Sequence, residues 1–250
     1  MARNHGADPS ETLGDSAGDS HLGLFHDSDQ HLLHRTKHHH RWRQIHRRTL
    51  RLATGKITIK VGGKIKSLYY PSSVESLIKV IQYLQKRGKK YFMLGNGSNI
   101  VASDKTYKNI VINGKHLVKQ ISFLDDYFVV SAFMDLRIVI AKLIERGIST
   151  LVNLAGIPAT VGGAIVMNAG AFKMNISDNL LWVKYLEDGK EVTKDINDLY
   201  FSYRSSELKE ENIIVLEAAF KIITDKEVMF IYKNILEKRR NRHPLNYPNC

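Results

Sequence analysis

AGIPATVGGAIVMNAGAF, residues 155–172, decides how this chain is read, together with an earlier loop, LGNGSN, at residues 94–99. In the later stretch a stiff proline, Pro158, stands beside permissive glycines at Gly156, Gly162 and Gly163, with Ile157 and Thr160 between them. A run of small residues follows, with Ala164, Asn168, Ala169, Gly170 and Ala171. Small side chains in series let a backbone come close to a flat ligand or to another backbone. A glycine-rich helix-packing segment accounts for Gly162 and Gly163, but not for Pro158, Asn168 and Gly170 together.

The earlier loop follows an apolar strand expected at residues 91–94. Gly95 and Gly97 bring N–H groups near anionic oxygens with no Cβ in the way. Asn96, Ser98 and Asn99 add side-chain donors. The dinucleotide fingerprint needs a third glycine three residues after the second, and Ile100 stands there instead. No Gly-Lys-Ser/Thr follows, so this is not a Walker loop either. Alone, the loop reads equally as a tight turn.

A chain of 250 residues suits one large domain or two smaller ones. One cysteine, Cys250, excludes an internal disulfide framework and a thiolate metal centre, so no metal is expected. No apolar run approaches the roughly 18 residues of a membrane span. The N-terminus lacks an apolar signal region, and Asp8, Glu11, Asp15 and Asp19 argue against a transit peptide. A soluble, cytoplasmic monomer is expected. The net charge of +12 comes from lysines interleaved with Asp and Glu, without the aromatic-basic stripe of single-strand binders. It suits anionic, phosphorylated ligands better than nucleic acid.

The first 54 residues hold nine of the eleven histidines, seven arginines and one lysine; the remainder holds seven arginines and twenty-two lysines. That shift resembles a join between coding regions of different base composition, or a misread start. Residues 1–54 are expected to be disordered, because no period of 2 or 3.6 organises most of them. His34 and His38 have the spacing of a zinc clamp, but a His-rich tail with adventitious affinity is the better account.

From residue 55 onward the elements alternate. Strands are expected at 56–61, 68–70, 91–94, 109–112, 128–131 and 213–223. Helices are expected where Val74, Leu77, Ile78, Ile81 and Leu84 make a 3.6-period face, capped by Ser72 or Ser73 and ended by Gly88, over 136–146, stopped by Gly147, and over 226–240. Asp188-Gly189 signals a hairpin between residues 181–186 and 190–193. Alternating helices and strands make the class α+β or α/β.

The two loops, with Tyr203-Arg204 inside FSYRSS at residues 201–206, resemble the UDP-N-acetylenolpyruvoylglucosamine reductase (UDP-N-acetylmuramate dehydrogenase, MurB) family over residues 57–250. Val61-Gly62-Gly63 resembles the family's early glycine pair, with Ile59 in an aromatic place. The resemblance implies an α+β fold: a PCMH-type FAD-binding domain of two α/β subdomains over residues 55–222, then the start of a substrate domain over 223–250. It implies noncovalent FAD, NADPH as hydride donor, and reduction of UDP-N-acetylglucosamine enolpyruvate to UDP-N-acetylmuramate, a cell-wall precursor. Gly95, Asn96, Gly97, Ser98, Asn99, Gly156, Ile157, Pro158, Thr160, Gly162 and Gly163 would hold the pyrophosphate, and Asn168 and Gly170 would lie along the cofactor. Tyr203-Arg204 would be the catalytic pair, with the guanidinium stabilising an enolate.

Three departures stand out: Ala159 and Lys173 where glycine is usual, and Val152 where glutamate is common. Ala159 would weaken the site if its backbone required a positive φ. Residues 243–250 resemble the lead-in to a Gly-Ser pair whose Ser donates the proton, with a Glu further on. Lacking both, the chain is expected to bind FAD but turn over poorly, with Val228, Ile231, Ile235 and Leu236 of the last helix partly exposed. The alternatives are another PCMH-type flavin oxidoreductase or a non-catalytic FAD-binding remnant.

Overall fold

The structure, a computed structural model, describes residues 50–51, 57–210 and 212–242. The His-rich segment, the composition join and the lead-in at residues 243–250 lie outside the described residues.

Strands β1 (Leu50–Arg51), β2 (Lys64–Tyr69), β3 (Tyr91–Leu94) and β4 (Tyr107–Asn113) form a sheet in the order β1-β2-β4-β3. β2 and β3 both run parallel to β4, and β1 is antiparallel to β2. Parallel neighbours need a crossover, which helix α1 (Val74–Lys86) supplies between β2 and β3. Ser73 starts α1 with a capping box: its Oγ accepts from the Ser76 amide at 3.1 Å, and Ser76 Oγ accepts from the Ser73 amide at 3.1 Å. Gly88, at φ +59, ends it, with the Lys89 amide donating to the Leu84 carbonyl at 2.9 Å.

The second half begins with β5 (Ile121–Phe123), β6 (Tyr127–Ser131), α2 (Leu136–Ile144) and α3 (Val161–Val166). Two small hairpins flank the next long strands: β7 (Gly170–Ala171) with β8 (Met174–Asn175), and, after β9 (Leu180–Glu187) and β10 (Lys190–Asp195), β11 (Phe201–Ser202) with β12 (Ser205–Ser206). β13 (Ile213–Lys221) and α4 (Val228–Arg242) follow. The larger sheet is antiparallel throughout, in the order β10-β9-β13-β6-β5.

Helix α1 touches both sheets. Its buried Leu77, Ile81 and Leu84 pack with Ile112 of β4 and with Leu186, Ile214 and Leu216 of the larger sheet. The main core contains Val130, Val183, Val215, Ala218 and Phe220 of that sheet together with residues of α2, α3 and α4. A register shift between Val215 and Glu217 explains how Val215 and Ala218 join the same cluster: an extra residue reverses the alternation of a strand. On β4, Val111 faces a third cluster with Ile65, Leu68 and Leu94, which Ile57 closes.

The α+β fold with mixed parallel and antiparallel sheets agrees with the sequence, and so do the ends of α1, the Gly147 stop and the Asp188-Gly189 hairpin. Four expectations need correction. The strand expected at residues 56–61 is a turn over its described part, with the Lys60 amide donating to the Ile57 carbonyl at 3.2 Å. Its isoleucines look like a strand face but cap a core cluster instead. Leu50 and Arg51, within the segment expected to lack structure, pair with Ile65 and Lys64, because the open edge of β2 offers them backbone partners. Helix α3 is not among the expected helices, although a helix-packing segment is one reading of Gly162 and Gly163, since two glycines cost about 1 kcal/mol each in a helix. Tertiary bonds offset this: Val161 N–H donates to the Met134 carbonyl at 2.9 Å and Gly162 N–H to the Ala132 carbonyl at 2.8 Å. Finally, Val228 and Ile235 of α4 are buried on the main core rather than partly exposed; Ile231 and Leu236 are half-buried as expected, and Met229 and Phe230 are exposed. The helix finds its partner in residues 152–154.

Candidate functional site

The two glycine loops are joined directly. Asn96 Nδ2 donates to Asp135 Oδ2 at 3.0 Å and to the Pro158 carbonyl at 3.3 Å. Gly95 faces Thr160 so closely that a Cβ would stand 2.7 Å from Thr160 Oγ1. That hydroxyl caps α3 by accepting from Gly163 N–H at 3.2 Å. Asn113 Nδ2 donates to the carbonyls of Leu94 at 2.9 Å and Gly95 at 3.1 Å, and Thr58 N–H donates to the carbonyl of Gly97 at 3.2 Å. Three loop carbonyls are thus committed to protein donors. Gly97 is buried at φ +66, a conformation that favours glycine. Ser98 and Asn99 continue the turn, Asn99 exposed, and neither bonds to the second loop among the described residues.

Asp135 is a junction that sequence reading missed, although an Asp just before a helix is an available N-cap signal. It caps α2 by accepting from the Arg137 amide at 2.9 Å, and pairs with Arg137 Nη2 at 2.7 Å. Burial pushes its carboxyl up, but the hydrogen bonds and charge of Arg137, with Asn96, outweigh that and hold it below the ordinary value. Asn113 was missed as well, since an asparagine ending a strand gives no local sign of its distant partners.

Asn168 ends α3 in the left-handed conformation, φ +39, and the Ala169 amide donates to the Ala164 carbonyl at 2.8 Å. Its buried carboxamide links two neighbours: Nδ2 donates to the Ser202 carbonyl at 3.0 Å, and Oδ1 accepts from Ser177 Oγ at 2.8 Å. Ser206 Oγ adds a bond to the Val166 carbonyl at 2.8 Å. The β11–β12 hairpin is thereby fixed on the end of α3. Tyr203 and Arg204 form its exposed turn, Arg204 at φ +57.

Gly170 opens β7, where a Cβ would collide with the Asn175 carboxamide. Ile157 packs half-buried on the main core. Gly156, at φ +86, is exposed, yet the Arg239 stem of α4 lies against it, 2.9 Å from where a Cβ would stand. The three departures resolve differently. Ala159 is not in the left-handed region, so the feared strain does not arise. Lys173 is, at φ +63, next to Phe172 at φ +50 in the β7–β8 turn. Val152 is buried in the main core.

These residues fit a cofactor carrying a pyrophosphate. The cradle at Gly95 and Thr160 admits backbone but no Cβ, and Thr58 Oγ1 and Arg239 Nε are buried polar atoms without a partner among the described residues. Two surface hollows, of about 230 and 390 Å³, are lined by none of the loop residues. Among the described residues, no group of three His, Cys, Asp or Glu could hold a metal ion, and no helix is long and apolar enough to cross a membrane.

The fold and the paired loops define a class: the chain belongs to the FAD binding domain family, matched over residues 65–194. Within that family it falls with the UDP-N-acetylenolpyruvoylglucosamine reductases, the MurB family, as the loops suggested. It is 34% identical over 200 residues to the reductase of Caldicellulosiruptor saccharolyticus, covering 77% of this chain and 64% of that one. The reductase of Aquifex aeolicus is 34% identical over 199 residues, 76% of this chain and 65% of that one. The crystal structure of the MurB reductase from Thermus caldophilus superposes with a TM-score of 0.68 at 27% identity, covering 78% of this chain and 70% of that one. The chain therefore spans a little under two thirds of the length of these curated relatives.

Proposed function

We propose that this chain holds FAD noncovalently along its two glycine loops and serves the NADPH-driven reduction of UDP-N-acetylglucosamine enolpyruvate to UDP-N-acetylmuramate, a cytoplasmic step of cell-wall synthesis. The observation that carries the reading is the junction of the loops, with Gly95 packed on Thr160 and Asn96 bonded to the Pro158 carbonyl. Loop carbonyls turned onto Asn113 and Thr58 favour amides toward an anionic ligand. Bound FAD supplies a two-electron store between the nicotinamide and the enol ether.

The chain's residues then have distinct tasks. Gly95, Asn96, Gly97, Ser98, Asn99, Gly156, Ile157, Pro158, Thr160, Gly162 and Gly163 bind the pyrophosphate and position the cofactor. Asn168 and Gly170 flank it, and Asn168 also holds the hairpin that presents Tyr203 and Arg204. Arg204 receives the substrate carboxylate, with two donors matched to two oxygens. Its charge gains value as negative charge builds on those oxygens.

The test takes the purified chain with FAD. Flavin fluorescence quenching and NADPH oxidation are followed with and without UDP-N-acetylglucosamine enolpyruvate. Saturable quenching supports the cofactor assignment, and oxidation that depends on the enolpyruvate supports the substrate. Absence of quenching at micromolar chain and flavin would reject the cofactor site.

A further inference from the structure

Charge is spread unevenly along this chain. Residues 57–119 carry twelve Lys and Arg against two acids, Glu75 and Asp104, whereas residues 120–242 carry sixteen against seventeen. The interleaving of opposite charges expected for the whole chain holds for the second stretch and fails for the first. The surplus falls on β2, α1, β3 and β4, and the fold gathers much of it at one end. β2, β3 and β4 run parallel, so their first residues share an end of the sheet, with Ile65 beside Tyr107 and Tyr91 beside Ile110. Helix α1 returns from the end of β2 to the start of β3 and so finishes at that same end. Lys64 and Lys66 stand there on β2, Lys86 closes α1, Lys89 and Lys90 precede β3, and Lys108 begins β4. The Ile110 amide donates to the Lys90 carbonyl at 3.4 Å, which sets the lysines before β3 beside the start of β4. All six are exposed. Asp104 and Asp188 also stand at this end, and the Asp188 carboxylate accepts from Gln85 Nε2 and Asn212 Nδ2, each at 3.1 Å.

We infer that this end of the sheet is a docking surface for an anionic lipid bilayer. Eleven of the twelve cations over residues 57–119 are lysines. A lysine ammonium is a hydrated point charge on a flexible stem, suited to a diffuse negative surface, whereas forked recognition of single phosphates favours arginine. The lysines come from three strands and a helix end, so they make a broad face. A hollow of about 230 Å³ lined by Lys89, Lys90 and Tyr91 opens in it, too small to track a nucleic-acid strand. Phe92 and Tyr107, 42% and 37% exposed, lie near the starts of β3 and β4 and offer rings to the headgroup boundary. The glycine loop at residues 95–99 leaves the opposite end of β3. Docked by its lysines, the chain keeps that loop turned from the bilayer and open to soluble ligands.

The full chain is sedimented at low salt with vesicles of phosphatidylcholine, either pure or containing about 30% phosphatidylglycerol. Affinity should be about tenfold or more higher for the anionic vesicles, and should fade at about 1 M salt, where charges are screened within about 3 Å. Lys89→Gln, Lys90→Gln and Lys108→Gln combined should lower it about tenfold or more, since each lysine near such a surface is worth about fivefold. Lys221→Gln, Lys226→Gln and Lys233→Gln combined remove the same charge from exposed positions elsewhere, and should cost less than about threefold. Should the first triple variant melt early, Lys89→Glu alone carries the same test. Equal losses in the two triple variants would show that net charge alone draws the chain, and would overturn the inference. Binding indifferent to the anionic lipid overturns it too. A single-stranded oligonucleotide held more tightly than the anionic vesicles, and weakened by the first triple substitution, would put nucleic acid in the place of lipid and overturn it as well.

Discussion

Asn168 donates from Nδ2 to the carbonyl of Ser202 at 3.0 Å, and this bond ties the end of a glycine-rich helix to the hairpin that carries Arg204. The same residue adopts φ +39 and accepts from Ser177, so one side chain ends a helix and orients a distant turn. A residue expected only to line the cofactor thus positions its neighbours as well.

Replacing Asn168 should therefore separate two effects. Asn168→Ala loses the donor to the Ser202 carbonyl and the acceptor for Ser177, and puts at left-handed φ a residue that tolerates it less well than asparagine does, at about 2–4 kcal/mol in all. Asn168→Gly loses the bonds but keeps the backbone at ease, and should be less damaging by about 1 kcal/mol. Urea unfolding of the two variants measures the difference. Equal losses would remove the backbone part of the account.

Gly95→Ala tests the loop junction. The new methyl would stand 2.7 Å from Thr160 Oγ1, which caps α3. FAD affinity, read by fluorescence quenching, should fall about tenfold or more, roughly the 1.4 kcal/mol of a displaced hydrogen-bonded group. Gly88→Ala is the control: no atom lies within 4 Å of its added methyl, so it should lose stability through its φ of +59 without touching flavin affinity.

Lys173→Gly should stabilise the chain. Phe172 and Lys173 both have positive φ across a two-residue turn, the pattern that favours glycine in the second place. Relief of backbone strain, less the greater freedom of glycine when unfolded, leaves a gain of about 0.5–1 kcal/mol. A melting temperature raised by about 1–4 °C would agree with the gain. A lower one would show that the lysine side chain earns its place by contacts.

Acid should weaken the fold through Asp135. Its carboxyl lies below its ordinary value of 3.8 when folded, so the chain holds fewer protons there than the unfolded state does. Stability from this group is present above that value and is lost as pH falls through the lower, folded one. Between pH 5 and pH 2.5, Asp135→Asn should show a shallower decline than the wild type in denaturant titrations. Identical slopes would place the acid sensitivity elsewhere.

Much of this was legible in the chain itself. Ser73, Gly88 and Gly147 mark helix ends, because orphaned amides and positive φ are settled within a few residues. Asp188 and Gly189, at φ +50 and +74, make the hairpin turn their types announce. Ile57 and Ile59 misled, since alternation cannot distinguish a strand from a turn that buries the same side chains. The departure at Ala159 was weighed as strain, but only the backbone angle could dismiss it.

The sequence by itself determined the ends of α1, the Gly147 stop, the Asp188-Gly189 hairpin and the glycines that mark the two loops. The tertiary structure decided that Gly95 meets Thr160, that Asn96 reaches Pro158, and that the Arg239 stem lies against Gly156. Propensities and caps act over one turn of chain, whereas a site is made where distant segments are pressed together by burial of a shared core. Helix α3 shows the difference: its glycines argue against a helix locally, and the carbonyls of Ala132 and Met134, from elsewhere in the chain, hold it in place.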